Sequence, residues 1–281
     1  MKQAELPRWV SALLLPLLNL LSALLVAAGV IYLLGESPWE SLTILTDSAL
    51  LNPEGLGYTL FYASTFVFTG LSVSIAMQAG LFNIGSEGQM YLGGLGLAIM
   101  VLALDAHLPG IVLIPLAILG AAVFGAAWAF LPGYLQAKRG SHVVVTTIMF
   151  NFIAASLMNY IIIGFLIPEG QQNTASRVFA ESAWLPRLNG LIPALGETPL
   201  NISFILALVA LAVYALAVWR SRWGYQLRAT GFNQHAAHYA GVSISRTLIV
   251  CMLISGALAG LGAVNSILGS THYLALNFPA G

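Results

Sequence analysis

The sequence predicts an all-α fold, a polytopic transmembrane helical bundle of about seven spans. Seven stretches of roughly 17 to 35 residues contain no Asp, Glu, Lys or Arg, and a helix crosses the hydrocarbon core with about 20 apolar residues. Charged residues make up only 7% of the 281 residues, against about 25% in soluble domains. We therefore expect one transmembrane domain over residues 1–281. The predicted spans are 10–34, 58–79, 84–104, 110–131, 143–167, 199–219 and 247–268, and a turn is expected at Pro132–Gly133, where the fourth span ends.

The basic residues predict the orientation of the spans, because Lys and Arg are retained on the cytoplasmic side. Alternating the spans from a cytoplasmic N-terminus places eight of the ten basic residues inside. These eight are Lys2, Arg8, Lys138, Arg139, Arg220, Arg222, Arg228 and Arg246. The acidic residues 36–54, Asp105 and the acidic residues 169–197 then fall on outer loops. This separation of the two signs supports the number of spans.

Both ends of the sequence carry expectations of their own. The first apolar stretch is longer than the 7–15 residues of a signal-peptide core, and we interpret it as a retained signal anchor. The last residues, 270–281, contain no charge and no polar tail. We therefore expect the C-terminus to be truncated, with further spans beyond it. The polar outer loop 168–198 is long enough to bind a partner, although a partly ordered connection is the alternative.

Glu87 is a carboxylate that lies between two apolar stretches, in the sequence GLFNIGSEGQ of residues 80–89. Small residues surround it and weaken a helix, which predicts a helix break or a re-entrant bend. Irregular backbone at membrane depth is tolerated where it lines protein or a wet cavity. The candidate substrate-path residues are Asn83, Glu87, Gln89 and Asn151. The alternatives are a cytoplasmic turn with a solvated Glu87, and interhelical hydrogen bonding by Asn151.

Residues 220–246 form the second informative segment. Asn233 is a good N-cap, residues 234–240 can form about two helical turns, and Gly241 can end them. The alanines of this short helix offer a small, uncharged face that suits a groove on a soluble partner. The residues assigned to this docking segment are Arg228, Gly231, Asn233, Ala236, Ala237 and Gly241. The alternative is a juxtamembrane loop whose arginines bind lipid headgroups.

Missing motifs restrict the chemistry of the chain. A P-loop requires a lysine in a glycine-rich loop, and the two lysines, Lys2 and Lys138, stand in no such sequence. We find no hydrolase motif and no zinc spacing among the histidines, so no catalytic residue, metal or bound cofactor is expected. The net charge is zero, and nothing points to nucleic acid.

Several motifs resemble those of a known family. Residues 69–76, the sequence GLFNIGSEGQM at 80–90 and residues 138–151 are similar to permeases of ABC importers of the ribose/branched-chain amino acid type. The sequence LRATGFNQHAAHYAGV at 227–242, followed by 255–260, resembles the cytoplasmic loop and next span of the same family. The likeness covers residues 55–281 and is strongest to the nucleoside and simple-sugar branch. Val143 and Gln234 depart from the acid and the proline that many relatives carry.

The resemblance implies a division of labour. A cytoplasmic ABC ATPase subunit would use ATP, an extracytoplasmic solute-binding protein would deliver the solute, and a second permease subunit, identical or different, would complete the path. Residues 228–241 would form the coupling helix that docks on the ATPase. The chain would lie in the bilayer of the bacterial inner membrane and carry a sugar or nucleoside-like solute. An ion-coupled secondary transporter and a membrane scaffold or channel subunit are the alternatives.

Overall fold

A computed structural model describes residues 10–190, 192–276 and 278, and the described residues form helices and connections without extended strands. Seven helical segments are long and apolar enough to cross a membrane, which confirms the predicted number of spans. The expectations for Lys2, Arg8 and residues 279–281 lie outside the described residues. The helices are α1 (Leu15–Leu33), α2 (Pro38–Thr46), α3 (Pro53–Gln78), α4 (Ser86–Leu104), α5 (Gly110–Arg139), α6 (Val143–Ile161), α7 (Ser203–Arg220), α8 (Arg222–Phe232), α9 (Gln234–Tyr239) and α10 (Ile244–Ser266).

The chain divides into two compact units, residues 1–56 and 57–281. In the first unit, α1 exposes its leucine side chains, as expected for a helix that meets lipid. The sequence analysis did not anticipate α2, which begins at Pro38 behind the N-cap Ser37, whose side chain accepts from Glu40 N at 3.4 Å. Proline at the first helical position and a serine cap are both favourable there.

The core of the second unit is built from α4, α5 and α10, which pack along one another, with α6 against α4. The helices approach closely because glycines line their contacts. A Cβ on Gly260 would overlap the carbonyl oxygen of Ala121 and would lie 3.3 Å from the Cα of Gly125. Without side chains between them, the backbones gain van der Waals contact, which drives helix association in lipid.

Helix α5 is longer than predicted. The sequence analysis placed a turn at Pro132 and Gly133, but α5 continues through both residues to Arg139. Both residues are buried, so protein surrounds this part of the helix. A proline inside a transmembrane helix is tolerated where neighbouring structure compensates for the lost hydrogen bond. The prediction of a turn at Pro132 was therefore wrong.

The two ends of the second unit differ in character. At one end, which we call the basic end, the C-terminal part of α5 contacts the start of α10. Ser245 Oγ donates there to Ala137 O at 3.1 Å. The other, the long-loop end, joins residues 168–202 to the residues after α10, where Phe179 N donates to His272 O at 2.9 Å. Loops that the charge pattern assigns to one side of the membrane thus meet in space. Which end faces the cytoplasm stays a prediction.

An ion pair fixes the long-loop end. Both terminal nitrogens of the Arg177 guanidinium donate to the carboxylate of Asp105, at 2.7 and 2.8 Å. Ala180 N donates to the same carboxylate at 3.2 Å. Bidentate pairs of this kind are strong and geometrically specific. The hydrogen bonds from Arg177 hold the pKa of Asp105 below its usual value. The pair explains why Arg177 lies apart from the other basic residues.

We expect Asp105→Asn to loosen the long-loop end by about 1–2 kcal/mol, because the variant loses a charge-assisted pair whose arginine is half-exposed. Thermal unfolding of the solubilised protein between about pH 6 and pH 3 measures this difference. A lowered pKa stabilises the fold above the unfolded value near 3.8, and this contribution disappears as the pH falls through the folded pKa. The difference in the free energy of unfolding between the unmodified protein and Asp105→Asn should therefore be constant above about pH 5 and vanish in acid.

Glu181→Gln provides the control for this experiment, because Glu181 is an exposed carboxylate in the same loop. It should unfold like the unmodified protein at every pH. Equal stability of the Asp105→Asn variant and the unmodified protein at neutral pH would contradict the assignment of the ion pair.

Candidate functional site

A non-helical segment separates α3 from α4, as both the predicted bend and its alternative, a turn between two spans, require. Helix α3 ends at Gln78, α4 begins at Ser86, and residues 79–85, which we call the bend, are not helical. Gly80 has a φ of 74°, a left-handed conformation that glycine adopts without strain. Leu81, Asn83 and Gly85 are buried, whereas Phe82 and Ile84 are exposed. Successive residues of the bend thus lie alternately in the bundle interior and on an open face.

Two contacts place the bend deep in the bundle. Asn151 Nδ2 donates to Ile84 O at 3.0 Å, and Asn83 Nδ2 donates to Ser255 Oγ at 2.8 Å. Asn151 follows the start of α6 by a rise of about 12 Å, and Ser255 follows the start of α10 by about 16 Å, at 1.5 Å per residue. The N-terminus of α4 therefore lies inside the bundle, more than two helical turns away from the first residues of α6 and α10.

A buried polar network holds the bend in this position. Asn83 Oδ1 accepts from Gly85 N at 2.8 Å, and Asn83 Nδ2 donates to Gln89 Oε1 at 3.0 Å. Ser255 Oγ donates to Ser72 O at 2.7 Å, and the hydroxyl of Ser72 is 3.0 Å from that of Ser86. Irregular backbone without water must find its partners inside the protein. The network meets that requirement with side chains from α3, the bend, α4 and α10.

An open cleft of about 760 Å³ lies beside the bend. Its wall combines aromatic rings, hydroxyl groups and one carboxylate, and it contains no basic residue among the described lining. The lining residues are Phe66, Thr69, Gly70, Val73, Phe82, Asn83, Ile84, Ser86, Glu87 and Tyr91. The sequence analysis missed the contribution of α3, because its hydroxyl and aromatic positions resemble ordinary span residues.

Glu87 is the predicted path residue whose side chain is exposed in the cleft. It occupies the first turn of α4, where the helix dipole and unpaired N–H groups stabilise a negative charge. The hydroxyl of Tyr91 lies 3.4 Å from Glu87 Oε1 in a weak hydrogen bond. The arrangement offers a carboxylate acceptor in the wall of the cleft.

The other predicted path residues have different surroundings. Asn83 borders the cleft but is only 1% exposed, and Gln89 is equally buried and does not line the cleft. Asn151 is half-buried, and its amide binds Gly88 N and Ile84 O. In this conformation the amides of these three residues support the bend and are engaged with protein. Their contact with a solute stays a prediction.

The docking segment predicted at 228–241 contains two helices. Asn233 caps α9 as expected, accepting from Ala236 N at 3.0 Å, and Gly241 follows with a φ of 83°. Helix α8 was not predicted. It begins behind Ser221, whose side chain accepts from Gly224 N at 2.9 Å. The guanidinium of Arg228 lies 4.5 Å from the ring centroid of Trp219, which ties α8 to α7.

The exposed surface of the docking segment differs from the expected alanine face. Ala237 is only 3% exposed, because α9 turns this residue toward the protein. The surface expected at Ala236, Ala237 and Ala240 therefore loses its central member. Phe232, the last residue of α8, and Tyr239, the last residue of α9, are each 92% exposed. Large aromatic side chains are frequent anchors at protein interfaces, and the sequence analysis overlooked them.

These features define a class of protein. Apolar spans, a polar break between two of them and a short helix presented at the basic end together describe a membrane transport subunit. The family model for the permease component of the branched-chain amino acid transport system matches residues 55–280. The chain belongs to this family of ABC transport permeases, and it is a multi-pass membrane protein consistent with the bacterial inner membrane.

Curated relatives agree with this assignment. The chain is 35% identical to the guanosine ABC transporter permease protein NupP of Bacillus subtilis, over 95% of this chain and 75% of the relative. It is 33% identical to the nucleoside ABC transporter permease protein NupB of Lactococcus lactis, over 89% and 69%. Identity to the glucose ABC transporter permease protein TsgB13 of Haloferax volcanii is 32%, over 95% and 70%. No solved structure matches the chain. Permeases of this family generally operate with ATPase and binding-protein partners.

Proposed function

We propose that this chain forms part of the path by which an ABC importer moves a nucleoside or sugar-like solute across the inner membrane. The observation that carries the proposal is the open cleft at the break between α3 and α4, with the Glu87 carboxylate in its wall. A charged group inside a membrane protein is costly and usually marks a pathway. The relatives named for guanosine, nucleosides and glucose support this class of solute.

The wall of the cleft suits an uncharged solute with hydroxyl or N–H groups. The Glu87 carboxylate accepts hydrogen bonds from such donors, and Phe66 and Phe82 expose aromatic surface beside it. The described lining carries no Lys or Arg, which disfavours a phosphorylated solute because nothing there would neutralise its charge. We therefore assign Glu87 as the solute-contacting residue of this chain.

The energy for uptake would come from ATP bound and hydrolysed by a separate ATPase subunit. Helix α9 is the proposed docking element. Phe232, just before it, and Tyr239, at its end, project from the basic end with almost no contact to the chain itself. A second permease subunit would close the open side of the cleft, and a binding protein would deliver solute at the long-loop end. This chain would contribute the path and no nucleotide site.

Glu87→Gln tests the proposal. We expect the KM for uptake to rise at least about tenfold, since losing a charge-assisted hydrogen bond costs about 1.5 kcal/mol. The measurement is uptake of radiolabelled guanosine, uridine and glucose into cells that express the chain with its partner subunits. Glu169→Gln, at an exposed position of the long loop, should leave KM unchanged.

Two results would contradict the proposal. Unchanged kinetics of the Glu87→Gln variant for every transported solute would remove Glu87 from the path. Uptake that a protonophore abolishes at constant ATP would identify an ion-coupled transporter instead.

A further inference from the structure

The C-terminal end of α8 contacts the backbone of the bend directly. A Cβ on Gly231 would overlap the carbonyl oxygen of Gln78, the last residue of α3, and would lie 3.1 Å from Gly80 N. From the other side, a Cβ on Gly80 would lie 3.4 Å from Gly231 O and 3.5 Å from its Cα. Two backbones thus meet without an intervening side chain. Such a contact transmits displacement stiffly, because no rotamer can absorb it.

Helix α8 is anchored so that it moves with the docking segment. Thr230, beside Gly231, is 1% exposed, and Leu227 is fully buried in a cluster with Ile75, Ala79 and Leu81. Asn233 joins the two helices: its N–H donates to Ala229 O at 3.1 Å in α8, and its side chain caps α9. A push on α9 therefore reaches Gly231 through one cap residue and a short connection.

On the far side of the contact, the bend continues into the solute cleft. Three residues beyond Gly80, Asn83 binds Gly85 N, Gln89 and Ser255. These bonds fix the N-terminus of α4, where Glu87 faces the cleft. Contiguous physical contacts thus connect the exposed docking helix to the carboxylate in the cleft. The connection does not pass through the length of α7 or α10.

We propose that Gly231 is a positioning residue through which α9 displaces the bend and thereby switches the Glu87 side of the cleft. The inference rests on the proposed function, because it requires an ATPase subunit that moves α9. In this proposal the movement of α9 reaches the cleft through the Gly231 contact. The alternative route would carry that movement through the spans α7 and α10. Movement of the docking segment and of residues 79–85 is then one event, coupled at the Gly231–Gly80 contact.

Hydrogen–deuterium exchange of the complete transporter in nanodiscs tests the coupling without any substitution. Exchange is followed in residues 77–85 and 222–241, with and without ATP plus vanadate. We expect both segments to change exchange together upon nucleotide addition. A response in α10 with no change in residues 77–85 would overturn the proposal.

Gly231→Ala tests the contact itself. We expect a tenfold or larger loss of ATP-driven uptake, more ATP hydrolysed per solute moved, and loss of the nucleotide response in residues 77–85. Gly29→Ala is the matched control, since a Cβ at Gly29 meets nothing within 4 Å. Normal uptake by Gly231→Ala, or a retained nucleotide response in the bend, would refute the proposal. If this variant fails to assemble, the exchange measurement on the unmodified transporter decides.

Failure of the proposed function gives a different result. Tyr239→Ala should weaken association with the ATPase subunit, and co-purification of that subunit with the unmodified chain shows directly whether the two associate. An unmodified chain that neither binds an ATPase nor supports ATP-driven uptake would remove the proposed function itself. Normal assembly and uptake together with an unresponsive bend would remove the Gly231 inference alone.

Discussion

Replacing Asn83 by Ala is expected to lower the free energy of unfolding by about 3 kcal/mol and to reduce uptake more than tenfold, since it leaves buried polar groups unpaired. The substitution removes the acceptor of Gly85 N and the partner of Gln89 and Ser255. The Asn83 side chain is only 1% exposed, so its partners would be left unpaired inside the protein. Denaturant unfolding of the solubilised chain and radiolabelled uptake measure the two effects.

Asn159→Ala makes the matched control for this experiment, because Asn159 is an exposed asparagine on α6. It should change stability by less than about 0.5 kcal/mol. A variant at Asn83 that unfolds and transports like the Asn159 control would show that the bend does not depend on the amide network.

Replacing Gly260 by Ala is expected to destabilise the bundle by about 2–3 kcal/mol, although alanine favours a helix by nearly 1 kcal/mol over glycine. The added methyl group would overlap the carbonyl oxygen of Ala121, which is backbone and cannot rotate away. Helices α5 and α10 must then separate, and the close packing around Gly125 is lost. Denaturant unfolding and the yield of folded protein in membranes measure the effect.

The same substitution at Gly164 provides the control, because a Cβ there meets nothing within 4 Å. Gly164→Ala should be neutral or slightly stabilising, so the two variants differ in sign as well as in size. Stability of Gly260→Ala at the level of Gly164→Ala would show that α5 and α10 are packed more loosely than the structure indicates.

The fold was largely predictable because lipid imposes a simple constraint on sequence. A spanning helix must avoid charge over its length, and all seven such segments are helices in the structure. The boundaries were less predictable where a local rule conflicted with the surroundings. Pro132 signals a turn in water, yet α5 continues through it inside the bundle. Helix α8 carries several polar residues and two glycines, which conceal it from a search for apolar spans.

The candidate site was predictable in part. Glycines around Glu87, a carboxylate between two apolar stretches, indicated an irregular segment, and residues 79–85 are not helical in the structure. The partners of the bend were not predictable, because Asn83 and Ser255 lie 172 positions apart and only the fold brings them together. The burial of Ala237 was also hidden, since the face that a two-turn helix presents depends on how its neighbours hold it. The roles of the candidate residues in transport stay predictions.

The amides at the bend are already engaged, and this has a consequence for passage. A solute that passes Asn83 meets an amide already bonded to protein, and the Glu87 carboxylate is the one charged hydrogen-bond acceptor among the described lining residues. A transport path must release its solute, so weak binding favours the rate of transport over selectivity. Selection between chemically similar solutes would then occur before the solute reaches this chain.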